Sequence, residues 1–337
     1  MDNLIRITHA SESPKYMQII DGIIDNIQRG RLKKGEQLPS ITELATSQSA
    51  AKVTIAKAYY ILKERGIVRS QHGKGFFIAS EKVKIKLNIF VLFDTMNAYK
   101  ETLYKAFKSS LPADASCSIF FHHYDISQFE WLIKTNTGKY NFYVVMPHFD
   151  KDVSGILKQI PSHKLLLIDK NVARLEGNFM AVYQDFENDV IEALSCVLGR
   201  IKRYKSLSLI QGNKQFQHVP PEIIKGFIRF CTVNRIRHKL SGQFNQKDIR
   251  QGNAYIIFSD ADLIEFIKVC NRNKWKPGKD VGLISYDETP MKEILANGIT
   301  VLTTDFESMG RTAGEMIKKR LHQKVKNPCK MIIRKTL

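Results

Sequence analysis

At 337 residues, the chain has room for two or three compact units of roughly 150 residues each, with ample length to bury a core. Apolar residues make up 43% and charged residues 25%, which excludes a disordered or collagenous chain. The 52 Lys and Arg against 33 Asp and Glu give a net charge of +19, a surplus that favours a polyanionic partner such as nucleic acid or an anionic membrane face.

The first ten residues lack the basic, apolar and small-residue succession of a signal peptide, and no apolar run approaches the roughly 20 residues of a membrane span. The expectation is a cytoplasmic protein with no membrane partner. Five cysteines, Cys117, Cys196, Cys231, Cys270 and Cys329, are odd in number and never form the close pairs of a zinc or redox site, so they read as free thiols, mostly buried.

The first element starts near Tyr16. Tyr16, Ile19, Ile20, Ile23, Ile24 and Ile27 follow the i, i+3, i+4 spacing of one helix face, and Gly30 closes it. After a turn with Gly35 and Pro39, Ser40 is a good N-cap for a short helix from Ile41 to about Thr46. A third helix sets Ile55, Ala58, Tyr59 and Leu62 on one side, with Val53, Ala56, Lys57 and Tyr60 pointing away, and ends at Gly66. Ile67-Val68, a polar tip from Ser70 to Gly75, and Phe76-Phe77-Ile78 read as a β-hairpin. Three helices and a hairpin predict a winged helix-turn-helix.

Between Lys52 and Lys86 there are nine basic residues against two acidic ones, a net +7. Such a segment attracts phosphate, which fixes position on a duplex, while the first turns of a helix in the major groove read base edges. Gly73 and Gly75 also suit a tight turn with positive φ, which is compatible with close approach of the backbone to phosphate.

These residues resemble the GntR family of bacterial transcription regulators. The matching positions are Pro14, Tyr16, Ile19, Gly30, Leu32, Gly35, Leu38-Pro39-Ser40, Glu43-Leu44-Ala45, the run from Thr54 to Tyr59, Leu62, Gly66-Ile67 and the run from Gly73 to Phe76. The resemblance implies DNA contacts from Lys52, Thr54, Lys57, His72, Gly73 and Lys74. Two positions depart from the family pattern: Thr42 and Lys52 stand where Arg is common. A lysine cannot reproduce the bidentate contact of a guanidinium with guanine.

Residues 1–78 are therefore expected to form the DNA-binding unit, 79–86 an extended connector of alternating charged and apolar residues, and 87–337 a ligand-binding unit. In the last, apolar runs recur between helical stretches: Leu87 to Phe93, Ser118 to Phe121, Phe142 to Met146, Leu165 to Ile168, Met180 to Tyr183, Leu207 to Ile210, Tyr255 to Phe258, Val281 to Ser285 and Val301-Leu302. This alternation predicts an α/β unit of two doubly wound parallel-sheet lobes. Ligands bind such sheets at the carboxyl ends of the strands. The candidates there are Asp94, Thr95, Asn97, Asp169, Lys170, Asp185, Gln211, Ser259, Asp260, Asp287 and Glu288. A strand-end Asp can equally be an N-cap or turn residue, above all Asp94 and Asp260.

The run from Asp280 to Glu288, Ile299 to Leu302, Asp305, Met309-Gly310 and Ala313 is similar to the sugar-sensing domain of the LacI/GalR regulators, a fold like that of type 1 periplasmic binding proteins. The resemblance implies that Asp169 and Asp287 accept hydrogen bonds from sugar hydroxyls; Asp94 and Asn97 join them as effector-binding candidates from their place at a strand end. The Arg that this family places three residues before Gly226-Phe227 is Ile223 here. His122, His123 and Asp125 do not suggest a metal, because adjacent strand residues face opposite ways; no metal and no cofactor are expected.

The expected function is that of a non-enzymatic, sequence-specific DNA-binding regulator. It would bind a pseudo-palindromic double-stranded operator as a homodimer, under the control of a small effector, a monosaccharide or sugar phosphate. Two alternatives remain at this point. One is an enzyme with pyridoxal phosphate, for which no Schiff-base lysine context, P-loop or Gly-x-Ser-x-Gly elbow is found. The other is a constitutive DNA-binding dimer whose C-terminal unit only dimerises.

Overall fold

The isoleucine stripe forms α1 (Lys15–Gln28), with Ile19, Ile20, Ile23, Ile24 and Ile27 buried. The computed structural model describes residues 5–7, 14–81, 87–212 and 218–337. Helix α2 (Ile41–Ser47) opens on a capping box in which the Ser40 hydroxyl accepts from the Glu43 amide and the Glu43 carboxylate accepts from the Ser40 amide. In α3 (Lys52–Glu64), Ile55, Ala58, Tyr59 and Leu62 face inward. The Tyr59 hydroxyl donates to the Pro39 carbonyl at 2.8 Å, and its ring meets Phe76 edge-on at 4.8 Å. These contacts fix α3 against both the α2 entry and the hairpin of β1 (Val68–Gln71) and β2 (Gly75–Ile78). The result is a winged helix-turn-helix with one shared core.

The first lobe alternates β3 (Asn88–Phe93), α4 (Ala98–Ser110), β4 (Ser116–Phe121), α5 (Ile126–Asn136), β5 (Phe142–Val145), α6 (Ser154–Leu157), β6 (Leu165–Asp169) and β7 (Met180–Tyr183). The second runs through α7 (Phe186–Cys196), α8 (Leu198–Ile201), β8 (Leu207–Ile210), α9 (Pro221–Val233), β9 (His238–Ser241), β10 (Ala254–Ile257), α10 (Asp260–Arg272), β11 (Gly282–Tyr286), α11 (Pro290–Ile294) and β12 (Thr300–Thr304). The chain then returns to the first lobe with α12 (Phe306–Lys319) and β13 (Lys324–Lys326), and ends in the second with β14 (Cys329–Ile332). The sheet orders are β13-β7-β6-β5-β3-β4 and β14-β12-β11-β10-β8-β9. Every pairing in the two lobes is parallel except β12 with β14. Apolar clusters cover both faces of each sheet, as two-sided burial of parallel strands requires.

Three short strands depart from the reading of the sequence. β9 reads His-Lys-Leu-Ser and β13 reads Lys-Val-Lys, polar edge strands without an apolar run, and β14 is the antiparallel exception in an otherwise parallel sheet. The thiols are all free, but only Cys231 and Cys270 are buried; Cys117 and Cys329 are half-buried and Cys196 is exposed.

Three crossings join the lobes: β7 to α7, β12 to α12 and β13 to β14. Asn327 laces them together. Its side-chain amide donates to Thr304 Oγ1 at 2.8 Å and to the Asp305 carbonyl at 3.0 Å, and its backbone amide donates to the Tyr183 carbonyl at 2.8 Å. Helix α12 crosses α4 so closely that a Cβ on Gly310 would run into the Leu103 carbonyl oxygen. The carboxyl ends of both sheets therefore open onto one cleft.

Candidate functional site

Two regions carry the residues picked out by the sequence. In the first, Lys52 begins α3, and Lys52, Lys57, His72, Gly73 and Lys74 are exposed while Thr54 is half-buried. Lys57 Nζ sits 4.0 Å above the Tyr16 ring, a cation–π contact that tethers the ammonium to α1. Gly73 at φ +70° and Gly75 at φ +100° make the tight wing tip. Gln37 Nε2 donates to the Lys74 carbonyl at 2.8 Å and so braces that tip. The sequence reading did not assign a contact role to Val53 or Tyr60, which are 79% and 63% exposed on the same helix. An outward apolar side chain there is the kind that meets a thymine methyl.

The second region is the inter-lobe cleft, with a volume of about 970 Å³. Asp94, Asn97, Asp169 and Asp287 all line it, together with Thr95, Ser259 and Asp260. Lys170, Asp185, Gln211 and Glu288 are not among its lining residues: Lys170 Nζ donates to the Phe149 carbonyl at 3.0 Å, Asp185 faces Lys326 at 3.6 Å, and Glu288 pairs with Arg334 at 2.7 Å. Ile223 contributes an apolar wall.

On the first-lobe wall the carboxylates are already engaged. Asp94 pairs with the buried Lys100, and its other oxygen bonds His148 Nδ1 at 2.7 Å. His148 Nε2 lies 3.2 Å from Asp169 Oδ2, and Asp169 Oδ1 accepts from Gln184 at 2.5 Å. Burial alone would raise the Asp94 carboxyl, but the His148 hydrogen bond and the Lys100 charge override it and hold Asp94 well below the usual carboxylate range. Burial likewise works against a charged His148, yet its bonds to Asp169 and Asp94 prevail and raise it. Asn97 Oδ1 caps α4 by accepting from the Lys100 amide at 3.2 Å.

The opposite wall differs. Asp287 sits at the end of β11 with φ +61°, and Asp169 at the end of β6 with φ +72°, so both carboxylates are carried on left-handed backbone that a non-glycine residue adopts at a cost. Asp287 Oδ1 is buried without a hydrogen-bond partner among the described residues. Burial pushes its carboxyl up to about 7; Lys292 works against this and Asp169 reinforces it. Lys292 does not neutralise it directly: the ammonium donates to the carbonyls of Tyr286 and Asp287 and pairs with Asp260 at 3.1 Å. Phe258 and Tyr286 stack at 4.6 Å beside it. A free acceptor next to a flat aromatic pair suits a ligand with hydroxyls on one edge and C–H groups on one face.

The reading from sequence missed His148, His218, Lys100, Lys292 and Gln184. His218, which precedes α9 on the second lobe, faces the first: its ring lies 6.0 Å from those of both His148 and Tyr124. Burial and the nearby His148 charge push His218 down to about 4. His148 had a signal, since it follows the apolar run ending at Met146. Of the adjacent histidines, His122 is buried and His123 lines the cleft. No cluster of His, Cys, Asp or Glu able to hold a metal occurs among the described residues. Nor is any described helix long and apolar enough to cross a membrane.

Residues 15–78 match the profile of bacterial regulatory proteins of the gntR family, and residues 231–337 match a periplasmic binding protein-like domain. The uncharacterized HTH-type transcriptional regulator YhcF of Bacillus subtilis is 34% identical over 106 residues, 30% of this chain and 84% of YhcF. The chain belongs to the gntR family. This gntR-family chain is also 39% identical over 84 residues to the HTH-type transcriptional repressor YtrA of Bacillus subtilis, covering 25% of this chain and 64% of YtrA. With the Escherichia coli mannosyl-D-glycerate transport/metabolism system repressor MngR it shares 36% over 81 residues, 24% of this chain and 34% of MngR. The chain thus spans between about a third and just under two thirds of the length of the first curated relatives it matches. By name these relatives are regulators, not enzymes.

Among solved structures, a dimeric Lac repressor aligns with a TM-score of 0.62 at 15% identity, covering 74% of this chain and 98% of the other. A LacI family transcriptional regulator from Lactobacillus casei with bound glucose aligns at 0.60 and 15%, covering 74% and 99%. At such identity these matches show the fold: this gntR-family chain carries a LacI-like, periplasmic-binding-protein-like unit beside its winged helix.

Proposed function

We propose that this gntR-family chain is a transcription regulator whose hold on operator DNA is set by a sugar-like effector in the inter-lobe cleft. In this reading residues 1–78 read DNA, 87–337 sense the effector, and 79–86 connect them; 82–86 lie outside the described residues. Lys52, Thr54, Lys57, His72, Gly73 and Lys74 contact the duplex. Two copies place two α3 helices on a pseudo-palindromic site, since two-fold protein symmetry mirrors operator symmetry.

The single observation that carries the effector reading is the unpartnered Asp287 Oδ1, buried beside the Phe258–Tyr286 stack in a cleft between hinged lobes. Asp287 accepts effector hydroxyls. Asp94 and Asp169, both tied to His148, form the preset opposite wall, with Asn97 at its rim. Operator binding comes under control of the effector through contacts that already join the two units. Asp25 on α1 pairs with Arg320 and lies 3.3 Å from His163, while Asp21 pairs with Lys164 at 2.7 Å. Arg320 caps α12, whose other end, Asp305, is at the hinge. Lobe closure therefore moves one end of a rigid helix whose far end grips the DNA-binding unit. For that to change operator affinity, the effector must bind one lobe arrangement more tightly than the other.

Thermal melting with a panel of neutral monosaccharides and their phosphates tests this, because a ligand bound only to the folded state raises the melting temperature. A shift in wild type that Asp287→Ala abolishes supports the reading. No shift with any of them favours a constitutive DNA-binding dimer.

A further inference from the structure

A second strongly basic stretch of the chain lies outside the winged helix. Residues 200–250 hold twelve Lys and Arg against two acidic residues, Glu222 and Asp248, whereas residues 14–81, the described winged helix, hold eleven against six. The topology gathers six of these cations at one place. Lys202, Arg203 and Lys205 precede β8, Arg235 and Arg237 precede β9, and Arg250 precedes β10. Lys276 and Lys279 precede β11 and extend the row.

These four strands are neighbours in the order β11-β10-β8-β9, and the lead-in loops are hydrogen-bonded to one another. The Lys205 amide donates to Gly252 O at 2.7 Å, the Leu207 amide to Arg237 O at 2.9 Å, and the Gly252 amide to Asp280 O at 2.7 Å. The eight cations thus share the end of the second lobe opposite the cleft. All eight are exposed. Among the described residues none of their side chains lies within ion-pair distance of a carboxylate; Asp248 is taken by Lys239 at 3.1 Å, and Asp280, the one carboxylate in these loops, accepts from the Lys276 amide at 2.8 Å and from Gln251 at 3.1 Å. With strands roughly 4.8 Å apart, the row spans about 15 Å, a reach suited to several backbone phosphates of one duplex.

We propose that this end of the second lobe is a second, sequence-independent surface for duplex DNA, separate from α3 and the wing. The side chains favour a nucleic acid backbone over an acidic protein. Asn234, Gln251 and Asn253 flank the cations, and the large exposed apolar side chains nearest in sequence, Val233 and Leu240, are scattered singly. Protein interfaces instead need a cluster of apolar or aromatic anchors. A chain held on its operator would then engage a second DNA segment without competing for the winged helix or the cleft.

The test uses the full chain and a generic duplex of about 40 base pairs, followed by fluorescence anisotropy across a salt series. Four proteins are compared: wild type, Lys52→Ala with Lys57→Ala, a distal variant (Arg203→Gln, Lys205→Gln, Arg235→Gln, Arg237→Gln), and the combination. The distal changes are expected to weaken duplex binding at least tenfold in the background lacking Lys52 and Lys57. They should also lower the log–log salt slope by about 3.6, at roughly 0.9 for each phosphate no longer neutralised. Coincidence of two differently labelled duplexes on wild type should vanish with the distal changes. If the quadruple variant melts early, Lys205→Gln and Arg235→Gln alone should each lower the slope by about 0.9. Unchanged affinity and slope would overturn the proposal. So would a distal variant that loses binding to polyglutamate while keeping its grip on duplex.

Discussion

Replacing Asp287 by Asn separates what the cleft does from what it costs. The carboxyl is pushed up to about 7 by burial, with Lys292 opposing and Asp169 adding to the rise, against about 3.9 in an unfolded chain. A group raised on folding contributes its full stability below its unfolded pKa and loses it as pH climbs through the folded value. Asp287 thus favours the folded state near pH 4 and opposes it above pH 7. A shift of about 3 units at about 1.36 kcal/mol each sets a ceiling of about 4 kcal/mol on the penalty at pH 8.5. Asparagine keeps the shape and removes the charge. The variant should exceed wild type by no more than about 1.5 kcal/mol at pH 5 and by up to about 4 kcal/mol at pH 8.5. At about 2 °C per kcal/mol for a unit of roughly 250 residues, melting would rise by up to about 8 °C. The same change should cost effector affinity tenfold to a hundredfold, since a hydrogen bond to a charged acceptor is worth about 1.5–3 kcal/mol. Melting curves of both proteins from pH 5 to 8.5 decide the matter. A wild-type minus variant difference that stays flat with pH would refute the reasoning.

Other perturbations probe other joints. Gly310→Ala puts a methyl against the Leu103 carbonyl of α4; backbone cannot yield as a flexible side chain can, so a loss of about 1–3 kcal/mol should appear in denaturant unfolding despite the better helix propensity of alanine. His122, pushed down to about 4 mainly by burial, accepts from the Tyr124 amide at 3.2 Å and faces the Met146 carbonyl at 3.0 Å. Being lowered on folding, it should make the chain lose stability as pH falls from about 6.5 toward 4, and His122→Gln should shrink that loss in a pH series of melting curves. Asp25→Ala removes the carboxylate shared by Arg320 and His163; effector binding by calorimetry should be unchanged within about twofold, while the effector's effect on operator affinity shrinks. Lys57→Ala should weaken operator binding and lower its log–log salt slope by about 0.9.

Much of this was legible in the chain because parallel strands buried on both faces must be continuous apolar runs, and their carboxyl ends converge. That logic led from Ile168 to Asp169 and from Tyr286 to Asp287, and both line the cleft. It failed for β9 and β13, where charged edge strands are recruited by their neighbours and carry no pattern of their own. It also could not show pairing. Asp94 and Asp169 look alike as free acceptors in sequence, yet His148, three residues beyond the end of β5, binds one and lies beside the other. His218 was invisible for a similar reason, since it reaches the cleft from the opposite lobe just ahead of α9.

The most direct measurement titrates neutral sugars and sugar phosphates into the full chain bound to an operator selected from random duplexes, reading DNA binding by anisotropy in wild type and Asp287→Asn. The account predicts that at least one sugar changes wild-type operator affinity fivefold or more, with a coupling of about 1 kcal/mol or greater, and that the variant binds the operator equally well but responds only at tenfold to a hundredfold higher sugar concentration. An operator affinity indifferent to every sugar, or a response that survives intact in the variant, would contradict it.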